Sequence, residues 1–302
     1  MLLLFRALQG LGFGGEWAAG AVLVAEHAKP QFRGRTLAWV QSSWAIGWAV
    51  AVSISMLVFS HVQGALAWRI LFWTGVLPAL FVLWIRRHVQ DAPAATERRA
   101  SGARPATSSY LSIFRAELLR TTVFASLLTT GVQGGYYTLA TWLPKYLKDA
   151  RGLSAVGSGP YLASLILGAF VGYICGGALA DRMGRKKTFL LFSILSTLLV
   201  VAYTQIPRGA NGWVLVLGFP LGFSMSAIFS GFGSFLAELF PRAVRGTGQG
   251  FTYSVGRAIG AGFPFVVGLL GVGGGLIFGA LGYALAAFAL LGLPETRGRE
   301  LT

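Results

Sequence analysis

Long apolar segments constrain this chain more than any other feature of its sequence. A helix needs about 20 predominantly apolar residues to cross a bilayer core of roughly 30 Å. With 55% hydrophobic and only 12% charged residues, the chain is too apolar for one soluble core. We therefore predict an all-α membrane protein with about nine transmembrane helices, at 2–25, 37–60, 68–85, 121–144, 158–180, 188–206, 212–236, 248–270 and 273–293.

The positive charge is distributed along the chain in an alternating pattern. Although the formal net charge is +15, the Lys and Arg residues lie in loops and not on one face, so nucleic-acid binding is not indicated. Every second loop is enriched in Lys and Arg, with eighteen in these loops against five in the alternate ones; the enriched loops are 26–36, 86–120, 181–187, 238–246 and 294–302. The positive-inside rule then predicts that residue 1 lies outside the cell and that the C-terminus lies in the cytoplasm.

Only one connection between apolar segments is long. Residues 86–120 include RRHVQDAPAATERRASGARPATSS, which is polar, basic and rich in Ala, Ser and Pro. This composition is typical of a flexible linker between two bundles. We predict three helices in 1–85, a cytoplasmic loop at 86–120, and six helices with a short tail in 121–302.

An internal repeat supports this division. AEHAKPQFRGRT follows the first segment and AELFPRAVRGTG follows the seventh, so that Glu26 and Arg33 match Glu238 and Arg245 at the same separation. The first segment therefore corresponds to the seventh, and the repeat unit is six helices. Three helices are accordingly expected upstream of Met1.

Parallel six-helix repeats are the architecture of the major facilitator superfamily. GGALADRMGRKKTF, at 176–189, resembles the signature loop of that superfamily, with matches that include Asp181, Arg182 and Arg185. The resemblance implies a major facilitator fold, with three helices of the N-terminal bundle and the complete C-terminal bundle. It also implies transport by alternating access and no cofactor.

Further motifs resemble the metabolite:proton symporter branch of the superfamily. RALQGLGFGGEW and PETRGREL are typical of that branch, and YYTLATWLPKYLKDARGLS is similar to bacterial carriers of sialic acid, aromatic acids and other monocarboxylates. The resemblance implies a monomer in the inner membrane that moves a small organic anion with protons. A sugar or drug carrier of the same fold and a non-transporting fragment or solute sensor are the alternatives.

Glu16 and Arg257 lie near the middle of predicted spans, and Arg6 lies closer to the outer end of the first span. A charged side chain at a helix centre costs about 2.5–3.5 kcal/mol on insertion scales, so such residues are candidates for function. We predict that Arg257 and Arg6 bind the anion, since a guanidinium grips a carboxylate through two hydrogen bonds. Glu16 is the candidate proton carrier. A structural ion pair between helices is the alternative.

Polar and aromatic side chains within the spans are candidates to complete the binding site. They supply donors, acceptors and stacking faces, although each alone is more often a packing residue or an interfacial anchor. The candidates are Gln9, Gln41, Trp44, Gln133, Tyr136 and Tyr137.

Charged residues at the ends of the spans are candidates for a conformational latch. Asp181 closes one helix, and its predicted partner is an Arg or a helix N-terminus across the bundle. Such pairs must break and re-form if two bundles rock. The alternative is that they only orient loops toward lipid headgroups. The predicted latch residues are Glu26, Arg33, Asp181, Arg182, Arg185, Glu238 and Arg245.

Enzymatic and metal-binding functions are not indicated. The three histidines fall at or beyond span ends, and the lone Cys175 has no partner for a disulfide or a cysteine-based metal site. GLGFGG, at 10–15, satisfies the dinucleotide-binding pattern, but it lies in an apolar helix and not between a strand and a helix.

Overall fold

The protein is helical over most of its described length. The computed structural model describes residues 1, 3–5, 7–10, 20, 24, 32–62, 64–88, 110–154, 156–271 and 275–298. A 3₁₀ turn at Tyr110–Phe114 precedes the fourth helix. The helices are α1 Arg33–His61, α2 Ala65–Thr74, α3 Leu77–His88, α4 Ala116–Asp149, α5 Gly159–Met183, α6 Arg185–Thr204, α7 Asn211–Ser230, α8 Phe232–Leu239, α9 Arg245–Gly260, α10 Gly262–Leu270 and α11 Phe278–Leu291.

Most predicted spans coincide with these helices. Within the described residues, five helical segments are long and apolar enough to cross a membrane: Gly34–His61, Gly159–Met183, Arg185–Thr204, Asn211–Leu239 and Arg245–Leu270. Two shorter apolar segments, Leu66–Phe81 and Phe278–Leu291, accompany them. Helix α4 has 34 residues, which also exceeds the length that a bilayer requires. The predicted span 2–25 lies largely outside the described residues, so the total of nine stays a prediction.

Several predicted boundaries need correction. The spans expected at 212–236 and 248–270 are each divided into two helices, at Gly231 between α7 and α8 and at Ala261 between α9 and α10. The span expected at 68–85 is two helices, because α2 ends at Thr74 and α3 begins at Leu77. Pro78 has no backbone N–H to bond to the Thr74 carbonyl, and this favours the break beside Gly75. Helix α4 extends beyond 121–144 at both ends, since polar residues at a membrane surface can continue the helical hydrogen bonding.

Glycines allow a close and extensive helix contact between α5 and α7. The spacing of Gly168, Gly172 and Gly176, four residues apart, predicts a glycine face for close helix packing. This face lies directly against the α7 backbone, where a Cβ atom would collide with the carbonyl oxygens of Phe219, Phe223 and Ala227. From the other side, a Cβ at Gly222 would collide with the Leu165 carbonyl. The predicted packing role of this glycine face is confirmed.

The other extensive contacts build a bundle around α4. Helices α9 and α11 both pack on α4, and α1 packs on α5. Hydrogen bonds join α4 to two of its neighbours. Buried Thr129 Oγ1 on α4 donates to the Thr252 carbonyl on α9 at 2.7 Å, and part-buried Trp142 Nε1 donates to the Pro264 carbonyl on α10 at 2.8 Å. Such interhelical bonds satisfy polar groups that lipid cannot.

We expect Gly222→Ala to lower the thermal midpoint in detergent, because its Cβ atom has no space between α5 and α7. Overpacking of this kind costs about 1–3 kcal/mol. Gly250→Ala is the matched control, since a Cβ atom there meets nothing within 4 Å. Its midpoint should stay unchanged or rise slightly through better helix propensity. Equal midpoints for the two variants would contradict the packing role.

Candidate functional site

A central cavity of about 290 Å³ lies where α1, α4, α5, α9 and the α7–α8 junction meet. Its walls are mainly aromatic, with amide and hydroxyl groups set among the rings. The helices bring these groups together because each carries them on the side that faces its neighbours. The lining residues are Gly20, Leu37, Val40, Gln41, Ser43, Trp44, Gln133, Tyr136, Tyr137, Tyr173, Phe229, Ser230, Gly233 and Tyr253.

Five of the predicted binding residues surround this one cavity: Gln41, Trp44, Gln133, Tyr136 and Tyr137. They come from two helices that are about 90 residues apart in the chain. Trp44 Nε1 on α1 donates to the Tyr136 hydroxyl on α4 at 2.6 Å, and this bond joins the two helices at the cavity wall. The structure thus places these five together, while their contact with substrate stays a prediction.

Tyr136 is the centre of an aromatic cluster. Its ring lies 5.8 Å from Tyr137 and 5.1 Å from Phe229, both in edge-to-face geometry, and 6.5 Å from Trp48. Edge-to-face aromatic pairs contribute more stabilising free energy than the burial of their apolar surface alone provides. The cluster therefore holds the Tyr136 hydroxyl in a defined position at the cavity.

Gln133 presents a buried donor to the cavity. Its side chain is only 1% exposed and lies beside Tyr253. Within the described residues, Gln133 Nε2 makes no hydrogen bond. A buried amide without an acceptor is costly, about 1–3 kcal/mol. A ligand oxygen in the cavity would remove that cost.

Arg257 lies against two of the lining rings. Its guanidinium carbon is 5.9 Å from the centre of the Tyr137 ring and 6.0 Å from that of Tyr253. Tyr253 precedes Arg257 by one turn of α9, so the two side chains share a face. The cation–π geometry orients the guanidinium beside the cavity.

Sequence reasoning missed several lining residues, notably Tyr173, Phe229 and Tyr253. Tyr173 is buried beside Tyr136 and Ser226. A signal for Tyr253 was available, because it lies four residues before a candidate arginine in an otherwise small-residue helix. No comparable signal marks Phe229, since phenylalanine is common throughout the spans.

Other predicted residues lie away from this cavity or outside the described residues. Arg6, Glu16 and Glu26 are outside the described residues. Gln9 is described and exposed. Their predicted roles therefore stay predictions.

The predicted latch centres on Asp181, at the end of α5. Its carboxylate accepts hydrogen bonds from the backbone N–H groups of Gly34 at 3.2 Å and Arg35 at 3.0 Å. These donors belong to the first turn of α1, where backbone N–H groups lack helical partners and the helix dipole is positive. The helix N-terminus predicted as a partner of Asp181 is thus observed. A Cβ atom at Gly34 would overlap the carboxylate, so a side chain at this position would have to displace it.

Arg185 connects Asp181 to a second carboxylate. Its Nη1 lies 2.7 Å from Asp181 Oδ1, and its Nη2 lies 3.4 Å from Glu238 Oε1, with all three side chains at least 92% buried. Glu238 Oε2 also accepts a hydrogen bond from Thr296 Oγ1 at 2.6 Å. The buried arginine therefore links the ends of α5 and α8.

The remaining latch residues take different positions. Buried Arg245 donates through Nε to the Ala237 carbonyl at 3.0 Å, whereas Arg182 is exposed. The Arg33 side chain lies outside the described part of the structure. The pairs Glu26–Arg33 and Glu238–Arg245 both stay predictions.

Glu295 is a latch residue that sequence reasoning missed. It accepts hydrogen bonds from the backbone N–H groups of Arg185 at 2.8 Å and Lys186 at 3.1 Å, and so caps α6. Gly184, with φ +103°, makes room for this carboxylate. The carboxylate comes from PETRGREL, a motif that the sequence analysis used only for its resemblance.

Membrane-length helices around a small polar and aromatic cavity define a multi-pass membrane transport protein. Residues 1–265 match the model of the Major Facilitator Superfamily, and the chain belongs to that family. Membership confirms the predicted fold class and assigns the chain to transporters rather than to enzymes.

The chain is 41% identical over 305 residues to a probable 4-methylmuconolactone transporter of Cupriavidus pinatubonensis (strain JMP 134 / LMG 1197), covering 98% of this chain and 70% of that protein. It is 29% identical to the cis,cis-muconate transport protein of Acinetobacter baylyi (strain ATCC 33305 / BD413 / ADP1), covering 92% and 68%. The fold is similar to that of the proton:xylose symporter XylE, with a TM-score of 0.70, 20% identity, and 93% and 68% coverage.

We expect Asp181→Asn to destabilise the protein by about 2 kcal/mol, since hydrogen bonds to a charged group contribute about 1.5–3 kcal/mol. Gly34→Ala should destabilise it similarly, because the new methyl group displaces the carboxylate while all charges remain. Unfolding in mixed detergent measures both variants.

Asp149→Asn is the control for the loss of one carboxylate charge. Asp149 Oδ2 lies 3.9 Å from Lys145 Nζ in a pair that is about half exposed, and such pairs contribute little. Wild-type stability of Gly34→Ala would contradict the role of the α1 N-terminus as the partner of Asp181.

Proposed function

We propose that the protein carries a small organic carboxylate across the membrane together with protons, by alternating access between two bundles. The observation that carries this proposal is the central cavity, whose aromatic walls hold the buried amide of Gln133 and whose Tyr137 and Tyr253 rings lie beside the cation of Arg257. The cation, the hydrogen-bond donor and the aromatic surface together are complementary to an organic carboxylate with an unsaturated or cyclic carbon skeleton.

The chemistry of the cavity favours this ligand class. A guanidinium can bind a carboxylate through two parallel hydrogen bonds, and it is less strongly hydrated than an ammonium group. Gln133 Nε2 offers a donor to a second oxygen of the ligand. The rings of Tyr136, Tyr137 and Trp44 offer flat apolar surface. At about 290 Å³, the cavity is at the small end of ligand pockets.

The relatives support the same choice. The names of the two transporters above specify 4-methylmuconolactone and cis,cis-muconate, and both compounds are small organic acids. We infer that the substrate of this chain belongs to the same chemical class. Sialic acid and aromatic acids stay within the proposed range because they also combine a carboxylate with a compact body.

Coupling to protons is part of the proposal. Glu16, at the centre of the first predicted span, can alternate between a neutral and a charged form, as a proton carrier must. The solved relative with the same fold is described as a proton:xylose symporter, which supports proton coupling. Differential affinity for the outward and inward states then couples the two solutes.

We also propose the topology predicted from the loops. Residues 1–85 and 121–302 form two bundles joined by the cytoplasmic segment 86–120, and the Asp181 latch faces the cytoplasm of the inner membrane. The basic composition of this end supports the orientation, since it holds Arg182, Lys186 and Lys187. The proposed monomeric state rests on the family resemblance alone.

Uptake of labelled cis,cis-muconate and 4-methylmuconolactone into proteoliposomes under an inward proton gradient tests this function. We expect saturable uptake by the full-length protein. In Arg257→Lys the apparent KM should rise about tenfold or more, because an ammonium group cannot form the parallel pair of hydrogen bonds. A tenfold change corresponds to about 1.4 kcal/mol.

Arg208→Lys is the matched control, since Arg208 is an exposed loop residue and its replacement should leave KM unchanged. An unchanged KM in Arg257→Lys would assign Arg257 to structure. Uptake of neutral sugars in place of both acids would overturn the carboxylate proposal.

A further inference from the structure

A second cavity, of about 700 Å³, opens at the end of the bundle opposite Asp181. It lies between the second half of α1, the end of α4 and the start of α5. We call it the vestibule and define it by Trp48, Val52, Met56, Lys145, Lys148 and Leu162. Its walls are largely apolar, and its charged groups come from one turn at the end of α4.

The vestibule carries a net positive charge. Lys145 and Lys148 are three residues apart on α4, so their side chains lie on adjacent turns of one face. Asp149 also lines the cavity and lies 3.9 Å from Lys145 Nζ. Two ammonium groups and one carboxylate leave one positive charge over apolar walls, and a low-dielectric wall strengthens the field of that charge.

A third cavity, of about 410 Å³, lies between the vestibule and the central cavity along α1 and α4. It shares Trp48 with the vestibule, and it shares Trp44, Tyr136 and Tyr137 with the central cavity. The route therefore follows the α1–α4 contact, past the hydrogen bond between Trp44 and Tyr136. Because Tyr136 and Lys148 are twelve residues apart on α4, the two ends of the route are about 18 Å apart.

We propose that the vestibule is a second binding site for small organic carboxylates, which it concentrates before they pass Trp44 and Tyr136. The ligand class rests on the proposed function. The site itself rests on the paired lysines, the apolar walls and the row of three cavities with shared lining residues. The carboxylate group of the ligand pairs there with the ammonium groups of the two lysines, while its carbon skeleton contacts Trp48, Val52 and Met56. Since both lysines remain partly hydrated, binding is weaker than in the central cavity.

A cysteine placed in the vestibule reports its charge directly. Ser55 lines the cavity, and Ser55→Cys in a Cys175→Ser background leaves one thiol, since the chain has a single cysteine. The measurement compares the reaction rates of an anionic and a cationic methanethiosulfonate reagent with the full chain in proteoliposomes. Each rate is divided by the rate of that reagent with a free thiol. The same reactions are then repeated in the presence of cis,cis-muconate.

We expect the anionic reagent to react about tenfold faster than the cationic one after this correction, because clefts of one charge raise the local concentration of counter-ions by about that factor or more. The preference should disappear in Lys145→Gln/Lys148→Gln and increase in Asp149→Asn. Arg208→Gln removes a positive charge from a nearby loop and should leave the preference unchanged. Muconate should slow the labelling of the parent chain but not that of the double-lysine variant.

Three results would each overturn the proposal. The two reagents could react at equal corrected rates, the preference for the anionic reagent could survive the loss of both lysines, or muconate could fail to slow the labelling. Absence of reaction with either reagent would overturn it as well, since the vestibule would then be closed to water. These rates do not depend on transport. The protein could take up no carboxylate and yet show a preference for the anionic reagent that depends on the lysines, with labelling that muconate slows. That result would refute the proposed function but support the vestibule site.

Discussion

The contact between Asp181 and the first turn of α1 determines how the two parts of the chain meet. One carboxylate accepts two backbone N–H groups of α1 and also binds Arg185. A helix N-terminus carries unsatisfied donors and partial positive charge, so its backbone groups stabilise a buried anion there. Because Gly34 has no side chain, the carboxylate reaches the α1 backbone directly.

This contact positions the central cavity. Holding the start of α1 against the end of α5 sets the depth at which Gln41 and Trp44 meet Gln133 and Tyr136. At the other end of α1, the vestibule widens between Trp48 and Lys148. The bundle is thus joined at the latch and open at the vestibule, with the hydrogen bond between Trp44 and Tyr136 between them. Under the proposed function, opening the other side requires the Asp181 contacts to break and the vestibule to close.

Much of this arrangement could be predicted from the sequence. The length of apolar segments located most of the helices, and polar residues within them pointed to Gln41, Gln133 and Tyr136, since a polar group in a span needs a protein or ligand partner. The spacing of Gly168, Gly172 and Gly176 predicted a close helix contact. The helices and the glycine contact are observed as predicted, because the bilayer imposes length and polarity rules on each helix separately. The three polar residues line one cavity, and their binding roles stay predictions.

The remaining features depend on contacts between segments that are distant in the sequence. The donors to Asp181 are backbone groups, which no side-chain pattern reveals. Glu295 lies 110 residues from the N–H of Arg185 that it caps. Tyr173 and Phe229 line the cavity only because α5 and α7 approach through their glycines. The break at Gly75 was missed because apolar composition continues through it.

Proton movement on addition of substrate tests the central claim most directly. Proteoliposomes without an imposed gradient receive cis,cis-muconate, and a pH-sensitive dye follows the external medium. We predict that the medium becomes more alkaline as carboxylate and protons enter together, with no such change in protein-free liposomes or in Glu16→Gln. Saturable muconate uptake without alkalinisation, or alkalinisation that Glu16→Gln leaves intact, would contradict coupling through this carrier.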